Sequence, residues 1–351
     1  MDQFTFALAL LLTATIAGCS TRGGFRGGDN NFQYGESVVL VGQEPASLGF
    51  SPQKKSVVVR STYRGDLPQT IRYLEGRDYL IDYTKGQIRR TPQSRIPDFH
   101  TNLLYGVDDF DHSKFPGFGN SGFFAFVDYR FKSSAPWPRQ KSQVEFLVKT
   151  RQKLATGQKV KIVAFGDSIT AGGDATEPAL IFWERWADEL RRKYPQTKIE
   201  AVNGSTGGDA TSQGLDRLQQ KVLNEQPDVV LIGFGMNDHN IAAYGTPLEK
   251  FEENLRIMID RIRLETSAEI VLYSTFPPNP KWHYGSKNMS AYALATEKVA
   301  TEKKCAFAEV YHNWLSISEK KKPEDLLGNN INHPNDFGHW IYFRVLRELG
   351  L

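Results

Sequence analysis

Ser168 lies in Val163-Ala164-Phe165-Gly166-Asp167-Ser168-Ile169-Thr170-Ala171-Gly172, directly after a short apolar run, where a strand end would expose its hydroxyl. A nucleophile belongs at such a place, although a bare Gly-Asp-Ser also suits a strand-to-helix turn in which Ser or Asp acts as a cap. The segment is not Gly-x-Ser-x-Gly, so the nucleophile elbow of the α/β-hydrolases does not apply. Three further segments flank apolar runs: Asn203-Gly204-Ser205-Thr206-Gly207-Gly208-Asp209, Gly235-Met236-Asn237-Asp238, and Asn332-His333-Pro334-Asn335-Asp336. Asp108, Asp109, Asp111 and His112 match no metal-ligand spacing. No metal site and no cofactor is expected.

The elements that must position these segments alternate. Strands are expected at Val160 to Phe165, Ile199 to Val202, Val229 to Phe234, Ile270 to Tyr273 and Ala306 to Val310. Helices are expected at about Ala179 to Lys193, Leu215 to Glu225, Leu248 to Leu264, Ala291 to Lys303 and Phe337 to Leu349. On the third of these, Phe251, Leu255, Met258 and Ile262 repeat at helical spacing. Apolar strands alternating with amphipathic helices predict a parallel sheet covered on both faces. Ligands of such sheets gather beyond the carboxyl ends of the strands.

The four segments, in this order, resemble the four blocks of the SGNH/GDSL hydrolase superfamily, and the resemblance covers roughly Lys159 to Leu351. It implies a three-layer α/β/α, flavodoxin-like fold and an ester hydrolase that works through an acyl-enzyme. Ser168 would be the nucleophile and His333 its base, since a serine hydroxyl is weak until a base takes its proton. The resemblance assigns the oxyanion donors to the backbone N–H of Ser168, the backbone N–H of Gly208 and the side-chain amide of Asn237. Gly208 suits this because a missing Cβ allows close backbone approach. His239 and Trp282-His283-Tyr284 fall at the expected rim, where they could meet substrate or simply pack.

One position departs from the family. Most relatives carry an aspartate three residues before the histidine, and here that residue is Asn330. An amide oxygen can accept from His333 Nδ1–H but carries no charge to stabilise the imidazolium. Three groups could orient the ring: Asn330 itself, Asp325 folding back from eight residues upstream, or a backbone carbonyl. A dyad assisted by Asn330 or a carbonyl is the first expectation, with Asp325 in reserve. Asp336 is expected to serve the start of the last helix.

The N-terminal third has a different grammar. From about Phe32 to Phe131, short β-like runs at Val38 to Val41, Val57 to Arg60, Ile71 to Leu74, Tyr79 to Tyr83 and Phe123 to Phe131 are separated by turn chemistry. This predicts a smaller all-β domain over 32–132, sandwich- or jelly-roll-like. Its aromatics Tyr63, Tyr73, Tyr79, Tyr83, Phe123 and Phe126 are divided between core and candidate sugar-stacking surface. Pro136 and Pro138 break the pattern, so 133–158 is expected to be a linker with a connecting helix at Val144 to Leu154, and the β region to be separable from the hydrolase domain at 159–351.

The first thirty residues concern location. Phe4 to Ile16 is a 13-residue apolar run, suited to a signal peptide over 1–18 and shorter than the ~20 residues that span a bilayer. Ile16-Ala17-Gly18-Cys19-Ser20 resembles the lipobox of bacterial lipoproteins, which implies lipidation at Cys19 and an extracytoplasmic protein, lipid-anchored to a bacterial membrane or secreted. The Gly-rich stretch over 19–31 suits a flexible tether. Cys305 is the only other cysteine, so no intrachain disulfide is expected once Cys19 is lipidated, and its apolar setting reads as a buried strand residue.

At 351 residues, 40% hydrophobic and 24% charged, the chain can bury a sizeable core and fill two domains. Its 43 Lys and Arg against 40 Asp and Glu leave a near-balanced surface, and nucleic acid is not an expected partner. The expected substrate is a small acyl ester, foremost the acetyl groups of an extracellular polysaccharide. The alternatives are a lipid esterase or thioesterase, a glycan acyltransferase, and a non-catalytic glycan-binding envelope lipoprotein.

Overall fold

The computed structural model describes residues 31–132, 137–241 and 245–351. The expected signal peptide, the lipidation at Cys19 and nearly all of the tether fall outside them, as do residues 133–136 of the expected linker.

The C-terminal region is the α/β fold that the alternation predicts. Its strands are β8 (Val160–Gly166), β9 (Ile199–Asn203), β10 (Val229–Gly233), β11 (Glu269–Tyr273) and β12 (Ala306–Ala308), all parallel, in the order β12-β11-β10-β8-β9. Its helices are α1 (Val148–Ala155), α2 (Ser168–Ala171), α3 (Phe182–Lys193), α4 (Thr211–Lys221), α5 (Leu248–Glu265), α6 (Met289–Glu302), α7 (Val310–Ser318), α8 (Pro323–Leu326) and α9 (Asp336–Arg347). α3 packs against α9, α4 against α5, and α5 against α6. Strand order reverses between β8 and β10, because the chain leaves β8 toward β9 and returns to the far side for β10. That switch point opens a crevice beyond the strand ends, where Ser168 follows β8 and Asn237 follows β10.

The N-terminal region holds two antiparallel sheets. One has the order β1 (Phe32–Val38), β7 (Ala125–Arg130), β3 (Val58–Arg60), β4 (Arg72–Tyr73); the other has β2 (Ala46–Ser47), β6 (Gln87–Arg90), β5 (Tyr79–Asp82). The sequence reading began the first strand at Val38 and passed over β6. In β1 the polar Gln33, Glu36 and Ser37 are buried, and in β6 Ile88 is the one apolar side chain, so neither shows the alternation that marks a strand.

The N-terminal sheets and the α/β region pack against each other. A single hydrophobic core runs from Val38, Leu40 and Tyr129 of the N-terminal region to Phe165, Phe337 and Leu346 of the α/β region. A buried polar network crosses the same boundary. Lys321 Nζ lies 3.0 Å from Glu36 Oε1 and 3.8 Å from Asp325 Oδ2, with all three side chains at most 5% exposed. Tyr129 donates its hydroxyl to Glu36, and Lys321 donates to the Ser47 carbonyl at 3.1 Å. Removing one partner of such a buried pair typically costs about 3 to 5 kcal/mol, because the other charge is left stranded.

Candidate active site

The pairing of Gly166 with Gly233 brings the ends of β8 and β10 level. Past β8 the chain turns into α2, capped by Asp167, whose side chain accepts from Ile169 N at 2.9 Å. Ser168 is the first residue of that helix. Past β10 the buried Asp238 closes the next turn: it accepts from Gly235 N at 3.1 Å and from Thr211 N and Oγ1 at 2.9 and 2.6 Å. This binds the Asn237 turn to the start of α4. Asn237 Nδ2 donates to the Asp209 carbonyl at 2.9 Å, which fixes the plane of the amide and, among the described residues, leaves its second N–H unspent. The Gly207-Gly208-Asp209 segment lies beside Ser168, since a Cβ on Gly207 would sit 3.9 Å from Ser168 Cβ. At Gly208 a Cβ would meet nothing within 4 Å, so it is the left-handed φ of +82°, not crowding, that calls for glycine.

His333 Nε2 stands 2.9 Å from Ser168 Oγ. Its other ring nitrogen, Nδ1, stands 3.1 Å from Oδ2 of Asp174. Both side chains remain about a quarter exposed. Asp174 sits in the loop after α2 with φ +58°, and the loop is held from two sides. Thr176 N and Oγ1 donate to Asp336 at 2.9 and 2.7 Å, and His339 Nε2 lies 3.1 Å from the Gly173 carbonyl. Burial pushes His339 down to about 3, so its ring is neutral and its Nε2–H donates. Gly173 itself leaves room for the His333 ring: a Cβ there would stand 2.8 Å from His333 Nδ1.

The groups expected to orient His333 are engaged elsewhere. Asn330, 2% exposed, accepts on Oδ1 from Asn120 Nδ2 at 3.1 Å and Asn279 Nδ2 at 3.3 Å. Asp325, 3% exposed, accepts from Val39 N at 2.8 Å and Lys322 N at 2.9 Å and joins the Lys321 network. The carboxylate that stands beside Nδ1 is that of Asp174. Asp174 follows the end of the Ser168 segment, but no local residue pattern marks it as the partner of a histidine 159 residues away. Asp336 opens α9 as expected, but the helix is capped by Asn335, and the Asp336 carboxylate serves the Asp174 loop.

The expected rim residues divide. His239 is 2% exposed with Nδ1 at 2.6 Å from the Met236 carbonyl, and burial lowers its pKa. Trp282 is buried with Leu104, Phe110 and Ile331 in a second apolar cluster and donates to His112 Nδ1 at 3.1 Å. His283 is exposed beside Asp109, at 3.1 Å. Tyr63, Tyr73, Tyr79 and Phe126 are all core residues, which removes them as stacking surface. Cys305 is buried just ahead of β12, and burial pushes its thiol up to about 11. Among the described residues no group of three His, Cys, Asp or Glu side chains could hold a metal ion, and no helix is long and apolar enough to cross a membrane.

The site places a hydroxyl, an imidazole in contact with it and a carboxylate on the far side of the imidazole, with an amide oriented by the Asp209 carbonyl after the adjacent strand β10. Burial pushes Asp167, next to Ser168, up to about 7. Residues 164–341 match the GDSL-like Lipase/Acylhydrolase family. An arylesterase of Vibrio mimicus is 26% identical over 189 residues, covering 54% of this chain and 88% of the relative. An acetylxylan esterase of Geobacillus stearothermophilus is 23% identical over 215 residues, covering 56% of this chain and 96% of the relative. The crystal structure of Axe2, an acetylxylan esterase from Geobacillus stearothermophilus, aligns with a TM-score of 0.48 at 24% identity, over 55% of this chain and 94% of that one.

Proposed function

Because the chain belongs to the GDSL-like lipase/acylhydrolase family and is an ester hydrolase, we propose that it cleaves small acyl esters through an acyl-enzyme on Ser168, with His333 as base and Asp174 as the orienting acid. The contiguous contact from Ser168 Oγ to His333 Nε2 at 2.9 Å and from His333 Nδ1 to Asp174 at 3.1 Å carries this reading. His333 takes the hydroxyl proton as Oγ attacks the acyl carbon. Asp174 accepts from Nδ1–H, keeps the tautomer that leaves Nε2 free as an acceptor, and stabilises the imidazolium. The oxyanion is met by the backbone N–H groups of Ser168 and Gly208 and by the Asn237 amide, each worth roughly 100- to 1,000-fold in turnover. The imidazolium returns its proton to the leaving alkoxide, and water, deprotonated by His333, then releases the acid.

The preferred substrate in this reading is an acetylated polysaccharide. It is supported by the similarity to a relative named acetylxylan esterase, which the chain matches over 96% of that relative's length. The lipobox-like Ile16-Ala17-Gly18-Cys19 supports an extracytoplasmic, lipid-anchored enzyme. A fluorophosphonate should label Ser168, and short p-nitrophenyl esters and acetylated xylan should both be cleaved. Absence of the label on folded protein would return the chain to the non-catalytic glycan-binding alternative; preference for long-chain esters would favour a lipid esterase or thioesterase.

A further inference from the structure

Asn120 belongs to the N-terminal region, yet it is fully buried against the segment that carries His333. Its backbone N–H donates to the Gly328 carbonyl at 2.7 Å. Its Nδ2 faces three oxygens: the Leu327 carbonyl at 2.9 Å, Asn330 Oδ1 at 3.1 Å and the Glu324 carbonyl at 3.2 Å. Its own Oδ1 accepts from Asn102 Nδ2 at 3.3 Å, and Asn102 also donates to the Gly119 carbonyl at 2.8 Å. An amide so placed satisfies carbonyls that no regular element would otherwise pair.

Gly328 is where this anchoring reaches the chemistry. Its N–H donates to the His333 carbonyl at 2.9 Å. A Cβ on Gly328 would stand 2.4 Å from Cβ of Asp174, so the same residue touches the acid. Asn120 thus holds one short turn, 327–330, that is bonded to the base and packed against its acid. Resting on the triad reading above, we propose that Asn120 is a positioning residue for the His333–Asp174 pair, and that the N-terminal β region is part of the catalytic apparatus.

The test separates positioning from mere stability. Active-site titration with an uncharged fluorophosphonate counts competent Ser168, and turnover of p-nitrophenyl acetate is then expressed per titrated site. Asn120→Ala is expected to lower kcat per site by up to ~100-fold, as small misplacements of reacting groups do, while KM moves by less than about twofold. Combined with Asp174→Ala it should add little further loss, because both changes act through the orientation of His333. An unchanged kcat per site, or losses that multiply, would overturn the proposal. Where Asn120→Ala does not fold, Asn120→Ser takes its place, and failure of both to fold would make Asn120 an ordinary structural residue and overturn it equally. Wild-type protein that is never labelled on Ser168 would instead strike at the nucleophile assignment.

Discussion

Asp174 Oδ2 lies 3.1 Å from Nδ1 of His333 across 159 residues of sequence, and the position three residues before the histidine contributes no acid. Asp174→Asn should therefore lower kcat by up to ~10⁴, the loss that follows when an orienting carboxylate becomes an amide. Asp325→Asn should lower Tm and leave kcat per titrated site nearly unchanged. Asn330→Asp should not restore activity to Asp174→Asn, because its side chain faces Asn120 and Asn279. A kcat collapse in Asp325→Asn with the fold intact would show that the acid lies there instead.

Gly173→Ala probes the space around the base. Its methyl group would enter at 2.8 Å from His333 Nδ1, a separation that forces the ring or the loop to move. We expect kcat to fall by about 100-fold with a much smaller change in Tm, read by steady-state kinetics beside thermal melts. Wild-type turnover would mean that the ring position is not critical.

Asp167 gives a pH signature in stability. Its buried carboxyl is pushed up to about 7 in the folded protein, whereas an exposed aspartate titrates near ~4. Between those values the folded state binds more protons than the unfolded one, so stability falls as pH rises through the window. Asp167→Asn retains an oxygen to accept from Ile169 N and removes the titration. Its Tm should decline less steeply than wild type from about pH 4 to 7, and parallel curves would assign the slope to another group.

A chain beginning near Ser142 tests the shared core. Removing the N-terminal sheets would uncover the faces now packed against them, along with Lys321 and Asn335, whose partners Glu36 and Ser37 lie on β1. Such a chain should be insoluble or lack cooperative unfolding by circular dichroism. A soluble fragment with full p-nitrophenyl acetate turnover would restore the view of two independent domains.

What could be read from the sequence follows how local each signal is. The five parallel strands and the long helices were legible because apolar periodicity is written in consecutive residues, and Ser168 and His333 because they sit in recognisable blocks. Asp174 was not, since its carboxylate meets His333 only where two loops come together. The buried polar strand β1 was hidden for a similar reason: Glu36 reads as a surface residue until Lys321 is brought to it. α7 was missed because the apolar run from Ala306 continues past the strand end and only the structure shows the chain turning helical at Val310.

The bond from Ser37 Oγ to the Asp325 carbonyl joins residues 288 apart, and this has a consequence for when the enzyme comes alive. Loops of that length close late, after local helices and neighbouring strands have formed. On a ribosome β1 emerges first and must wait for nearly the whole chain before its partners Lys321, Asp325 and Asn335 exist. The histidine segment those partners flank is among the last to settle. A nascent chain that has not yet reached His333 would carry Ser168 without the imidazole beside it, so under the proposed mechanism ester-cleaving capacity is expected to appear only after the histidine segment has been made and seated.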